Sequence, residues 1–139
     1  MTSLSRVFGA VLFVFMTAHA SIALAQVKAD FLVGTFASAK GCKMYNKLQA
    51  GTPRSIETVP DTLDADGFHG WEGACEFTKV WQHQPGMIWQ ALMYCSEGNT
   101  AGPQMFSFAR DPETGTFDVS SIGQQEPETF HLCDKKKDK

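Results

Sequence analysis

Cys75 and Cys95 bracket the stretch that most restricts what this chain can become. Between them run two segments rich in aromatic and apolar residues, broken at Gln84-Pro85-Gly86 by residues that favour a tight turn. Antiparallel pairing that sets Cys75 opposite Cys95 also sets Phe77 opposite Met93, Lys79 opposite Ala91 and Trp81 opposite Trp89. Side chains alternate between the two faces of a strand, so all of these share one face. That face is apolar except for Lys79, and it belongs to a core. A two-residue Pro85-Gly86 turn shifts the register by one residue, and a bulge beside the turn restores it.

The start of the chain fixes the compartment. Arg6 precedes an unbroken apolar run from Val7 to Met16, and Ala23-Leu24-Ala25 supplies the small residues of a cleavage site, so residues 1–25 read as a secretory signal peptide. The run is shorter than the roughly 20 apolar residues of a spanning helix, and nothing after Gln26 resembles a transmembrane segment. The expected location is therefore periplasmic or secreted, after cleavage near Ala25. No cysteine follows that site directly, which argues against a lipoprotein. Residues 26–133 form one domain, and residues 134–139, with Lys135-Lys136-Lys137, read as a flexible tail.

All four cysteines lie in the exported portion, and an even number in an oxidising compartment points to two disulfides. The hairpin register favours Cys75–Cys95. That leaves Cys42 with Cys133, joining the start of the domain to its end. No two cysteines have the spacing of a zinc site, and no cofactor is expected.

Charge narrows the partners. The whole chain carries 12 basic and 15 acidic residues, a formal charge of -3. Cleavage removes Arg6 and no acid, leaving -4. A protein that neutralises phosphates needs a basic surface, so nucleic acid is not an expected partner.

Along the domain, Phe31 to Ala37 alternates as a first strand with Phe31, Val33 and Thr35 on one face. Lys40 to Lys47 fits either a short helix or an irregular crossing that carries Cys42. Arg54 to Val59 is β-branched enough for a strand, and Pro60-Asp61 ends it. Asp64-Ala65-Asp66-Gly67 invites a calcium loop but places the wrong residues at both ends of the EF-hand pattern, so it reads as a turn. Cys95 to Pro103 reads as a glycine-rich loop. A second hairpin follows, with Phe106 and Phe108 on one face of Gln104–Ala109 and Phe117 and Val119 on one face of Thr116–Ile122. Glu128 to Cys133 supplies a last strand. Six to eight short strands at this spacing predict an all-β fold, a small antiparallel barrel or sandwich with two disulfides.

Gly34-Thr35-Phe36, Cys42, Gly70-Trp71-Glu72, Cys75-Glu76-Phe77-Thr78-Lys79-Val80, Trp89, Cys95-Ser96-Glu97-Gly98 and the terminal Cys133 together resemble a family of small four-cysteine exported bacterial proteins of unknown function. The resemblance spans nearly all of the exported portion. Phe36 stands where that family more usually has tryptophan. By analogy of fold, such proteins are similar to the lipocalin-like barrels of periplasmic lysozyme and protease inhibitors, and that analogy brings no site with it.

The sequence holds no nucleophile elbow, zinc-protease helix or nucleotide loop, so a catalytic role is not expected and no residue is assigned one. The leading expectation is a non-enzymatic envelope protein that binds a protein or another envelope component. Its sharpest form is an inhibitor of a host or envelope hydrolase such as lysozyme. The candidate binding residues are Trp71, Glu72, His69 and His83. A metal-binding protein or small hydrolase using His69, His83 and Glu72 is the alternative, and an effector delivered to host cells is a third.

Overall fold

Eight strands pair antiparallel in chain order, and the last closes onto the first to make a barrel. A computed structural model describes residues 27–133 of the chain; the segments read as signal peptide and lysine-rich tail lie outside the described residues. In order, the elements are β1 (Phe36–Ala37), α1 (Ala39–Gln49), β2 (Thr62–Leu63), β3 (Gly67–His69), β4 (Gly73–Gln84), β5 (Ile88–Glu97), β6 (Thr100–Arg110), β7 (Phe117–Ser121) and β8 (Glu128–Leu132). The all-β expectation thus takes its closed-barrel form, with one helix added.

The β4–β5 and β5–β6 pairings are the two longest, and in the first Cys75 faces Cys95 as its register requires. Phe77 faces Met93, but then the register shifts between Phe77 and Lys79, so that Lys79 meets Leu92, Val80 meets Ala91 and Gln82 meets Trp89. Trp81 therefore lies across from Gln90, and the expected Trp81–Trp89 pair does not form. The cause is a bulge at Thr78, far from the turn, with a second irregularity between Gln82 and Gln84. One extra residue reverses the parity of everything beyond it. Val80 is turned to pack against the core and Lys79 is turned outward, where its Nζ lies 5.0 Å over the Trp81 ring. A lysine that had no place in the interior is thereby accommodated by a cation–π contact on the outer wall.

Inside, β5 presents Trp89, Ala91, Met93 and Cys95, all buried, to Phe77, Phe108, Phe117, Val119 and Phe130 from the other strands. Phe36 and Leu63 complete the core from β1 and β2. Aromatic rings dominate: Phe36 meets Phe117 edge-on at 5.2 Å between centroids, and Phe77 lies 5.9 Å from Phe108.

The first predicted strand is much shorter than its alternation suggested. Only Phe36 and Ala37 pair, and Val33 is exposed. Phe31 instead folds under the barrel, stacked on Trp89 at 4.4 Å and edge-on to Phe108 at 5.5 Å. Ala29 and Leu32 are buried beside it. The Ala29 amide donates to the Ala65 carbonyl at 2.8 Å, and Lys28 pairs with Asp66 at 3.0 Å. This segment closes the lower end, which also carries the β2–β3, β4–β5 and β6–β7 turns.

Arg54 to Val59 is a compact turn and not a strand. The Ser55 amide donates to Thr58 Oγ1 at 2.8 Å, while the Thr58 and Val59 amides both return to the Ser55 carbonyl at 2.9 Å. Hydroxyl side chains that capture nearby backbone groups compete with a ladder, and here they win over the β-branched composition. The expected loop over Cys95 to Pro103 is likewise replaced: β5 runs to Glu97, Gly98-Asn99 turns the chain, and β6 starts at Thr100. Gly98 supplies the positive φ, +55°, that so tight a turn needs.

Helix α1 settles the Lys40–Lys47 ambiguity. Ser38 caps it by accepting from the Gly41 amide at 3.1 Å. The helix lies outside the barrel over β1 and β8, and a methyl on Gly41 would sit 2.9 Å from the Ala37 side chain, so the glycine permits the close approach. The Cys42–Cys133 disulfide pins the helix to the end of β8, and Cys75–Cys95 crosses β4 and β5 on the inner face.

Candidate ligand-binding mouth

The strand directions place four connections at the upper end: the long one from α1 to β2, the β3–β4 turn, the β5–β6 turn and the β7–β8 loop. This end is not plugged. β7 and β8 are short, so the β6–β7 pairing starts only at Phe106, with one further bond from the Ile122 amide to the Met105 carbonyl, and leaves Thr100–Gln104 without a ladder on that side. Pro103, which lacks an N–H, is tolerated in the middle of β6 because that side has no partner strand to satisfy. The barrel therefore widens upward into a cavity of about 770 Å³.

Its floor is apolar. Phe68, Phe106 and Phe130 line it above the fully packed core, with Phe68 5.1 Å from Phe106 and 5.7 Å from Phe130. Phe68 and Phe106 are only half-buried, since the cavity lies on one side of them. The Cys75–Cys95 bridge forms part of the same wall, and a side chain added at Gly102 would point into open space.

The rim is built from the turns. The Gly70 amide donates to the Gly73 carbonyl at 2.9 Å, closing a turn that carries Trp71 and Glu72 at its tip. Trp71 remains 51% exposed. The Glu72 carbonyl accepts from the Gly98 amide at 3.3 Å, tying this turn to the neighbouring β5–β6 turn. Both glycines have steric reasons: a side chain at Gly70 would run into the Asp61 carboxylate, and one at Gly73 would meet the Ser96 carbonyl. Across the opening, Ile56 and Val59 from the α1–β2 connection add apolar surface.

Asp61, Glu72, Glu97 and Glu128 bring four carboxylates to this lining, and among the described residues no lysine or arginine joins them. Glu97 shares strand parity with Cys95, and Glu128 with Phe130, so both stand on the inward side of the barrel wall. His69 also lines the cavity, and its Nε2–H donates to Asp64 Oδ1 at 3.1 Å. That oxygen is already fixed by the Asp66 and Gly67 amides at 2.8 and 3.3 Å, so the imidazole is held on a rigid turn.

Of the four residues singled out from sequence, Trp71 and Glu72 lie together at the mouth, and His69 borders it with its imidazole turned to Asp64 of the β2–β3 turn. His83 does not join them. It lies near the lower end of β4, bonded to Gln90 Oε1 at 2.9 Å, eleven residues along the strand from Glu72 and so on the order of 35 Å away. A common site of His69, His83 and Glu72 is thereby ruled out by geometry. Among the described residues no three histidine, cysteine or acidic side chains converge as metal ligands. Asp61, Glu97, Glu128 and the phenylalanine floor were not singled out from sequence, although the parity of Glu97 with Cys95 and of Phe106 with Phe108 was a legible signal for an inward position.

Taken together, these features define a small disulfide-clamped antiparallel β-barrel, plugged below and open above. Comparison with protein-family models, with curated proteins and with solved structures finds no match.

Proposed function

We propose that the chain is an exported, non-enzymatic binding protein of the bacterial envelope that engages a protein or other envelope component at the open end of the barrel. The observation that carries this reading is the contrast between the two ends. The lower end is sealed by Phe31, Ala29 and Leu32, whereas the upper end holds a cavity with an aromatic floor, an exposed tryptophan and a carboxylate rim. A cavity of this size falls within the roughly 300–1,000 Å³ usual for ligand sites, and exposed tryptophan is enriched where partners bind. The two disulfides fit an oxidising compartment, in keeping with the signal peptide read at the start of the chain.

In its sharpest form the partner is a cationic hydrolase such as lysozyme, inhibited by occupation of the mouth. Assay of lysozymes and serine proteases with the purified, disulfide-bonded protein at micromolar concentration tests this. Saturable inhibition that is lost in Trp71→Ala supports it, and unchanged activity of every enzyme contradicts the inhibitor form.

A further inference from the structure

We propose that the mouth recognises an organic cation, a protonated amine or a guanidinium carried on an apolar stem. The inference rests on the binding-protein reading and states what chemistry that site selects. Four carboxylates alone would be an ordinary solvated rim. What sets this rim apart is that it encircles a cavity floored by Phe68, Phe106 and Phe130, with the Trp71 ring standing at its edge. Each part answers one part of such a ligand. The floor takes the apolar stem, Trp71 offers a π face to the cationic head, and the carboxylates supply its counter-charge.

The charge distribution separates this class from others. Acids and bases nearly balance over the whole chain, 15 against 12, yet among the described residues the lining holds four acids and neither lysine nor arginine. A cleft of one sign with low-dielectric walls concentrates counter-charge and repels the opposite kind of ligand, so phosphate- or carboxylate-bearing molecules are disfavoured. A divalent metal ion is disfavoured for a different reason. The carboxylates stand at four separate places (just before β2, the β3–β4 turn, the end of β5 and the start of β8), and among the described residues no three potential ligands converge. Spread negative charge around an aromatic floor suits a large, weakly hydrated cation better than a compact one that demands close oxygen ligands. The chain already makes one such contact on its outer wall, where Lys79 lies over Trp81.

The ligand's source is either a free amine or a lysine or arginine side chain projecting from a partner protein, and the experiment separates them. The disulfide-bonded protein is titrated, by calorimetry and tryptophan fluorescence, with phenylethylammonium, with 3-phenylpropanoate and with a cyclic peptide bearing a single arginine. The 3-phenylpropanoate is of similar shape and opposite charge. The expected result is saturable binding of at least one cationic probe, no binding of the anion, and a loss of tenfold or more in the Glu72→Gln/Glu128→Gln double variant. Both positions are exposed, so the variant retains its fold, and an unchanged melting temperature verifies this. Binding of the free amine assigns a small-molecule source; binding of the peptide alone assigns a protein-borne one. Equal binding of anion and cation, affinity unchanged in the double variant, or no binding of either cationic probe overturns the proposal. Failure of the wider binding-protein reading looks different: neither wild type nor the double variant captures a partner from envelope extract and no probe binds, whereas capture of a partner by both alike leaves that reading standing and removes only the cation.

Discussion

At the scale of single residues, the conformations that matter are those no other side chain tolerates. Gly67 sits at φ +148°, and a Cβ there would drive into the Cys75 carbonyl of the adjoining strand. Substitution Gly67→Ala therefore strains the β2–β3 turn and the β3–β4 ladder at once, with an expected loss of about 1–3 kcal/mol in a urea or thermal unfolding measurement. Asp111 makes a different point. Its carboxylate accepts from the Glu113 amide at 2.8 Å and the Thr114 amide at 3.3 Å, and these hydrogen bonds hold its pKa below the ordinary aspartate value of 3.8. A carboxyl with a depressed folded-state pKa contributes stability that is fully present above its unfolded value and is lost as pH falls through the folded one. A carbon-detected NMR titration is expected to show Asp111 titrating below the usual aspartate range, and Asp111→Asn to remove that acid-side dependence while keeping the turn. Lys79 is the residue whose place the sequence concealed. Strict alternation put it in the core, and only the bulge at Thr78 lets it turn outward. A bulge leaves no reliable mark in composition, because it is fixed by which register buries the most apolar surface around the whole barrel.

At the scale of elements, the clearest parts of the fold were those stabilised locally. The hairpin of β4 and β5, the turn at Asp64–Gly67 and the second hairpin all follow from alternation and turn chemistry, and the Cys75–Cys95 pairing follows from the hairpin. The segments that misled are those whose fate is decided elsewhere. Phe31 to Thr35 alternates like a strand, but the lower end needs one aromatic plug more than it needs another strand. Ser55 to Val59 has a strand's composition, but its hydroxyls bind its own backbone. The two disulfides act on different elements and have different weight. Cys42–Cys133 closes a separation of 91 residues and fastens α1 to β8, whereas Cys75–Cys95 closes only 20 within a hairpin that already pairs. On the loop-entropy model the first contributes about 4 to 5 kcal/mol and the second about 3. Replacing Cys42 and Cys133 together by alanine is expected to lower the unfolding free energy more than replacing Cys75 and Cys95, as read from chemical denaturation of the two variants side by side.

For the whole molecule, the proposed binding role rests on the unequal ends of one barrel. Closure in chain order brings the starts and ends of β2, β4, β5 and β8 to one rim, and only there do Asp61, Glu72, Glu97 and Glu128 become neighbours of a common space. In the sequence they are scattered over a span in which nothing marks them as a set. Trp71 and Glu72 were legible because they sit together before Cys75 in a glycine-flanked turn, and His69 because histidines are few. His83 was legible for the same reason, yet the length of β4 carries it to the opposite end. Engagement of a partner through the upper end is put to the test by site-specific photocrosslinking. The disulfide-bonded protein carries a photoreactive phenylalanine at position 71 in one preparation and at position 83 in another, and both are exposed to envelope extract. A discrete adduct from position 71 and none from position 83 is the predicted result; an adduct from position 83 alone, equal labelling from both, or none from either would contradict it.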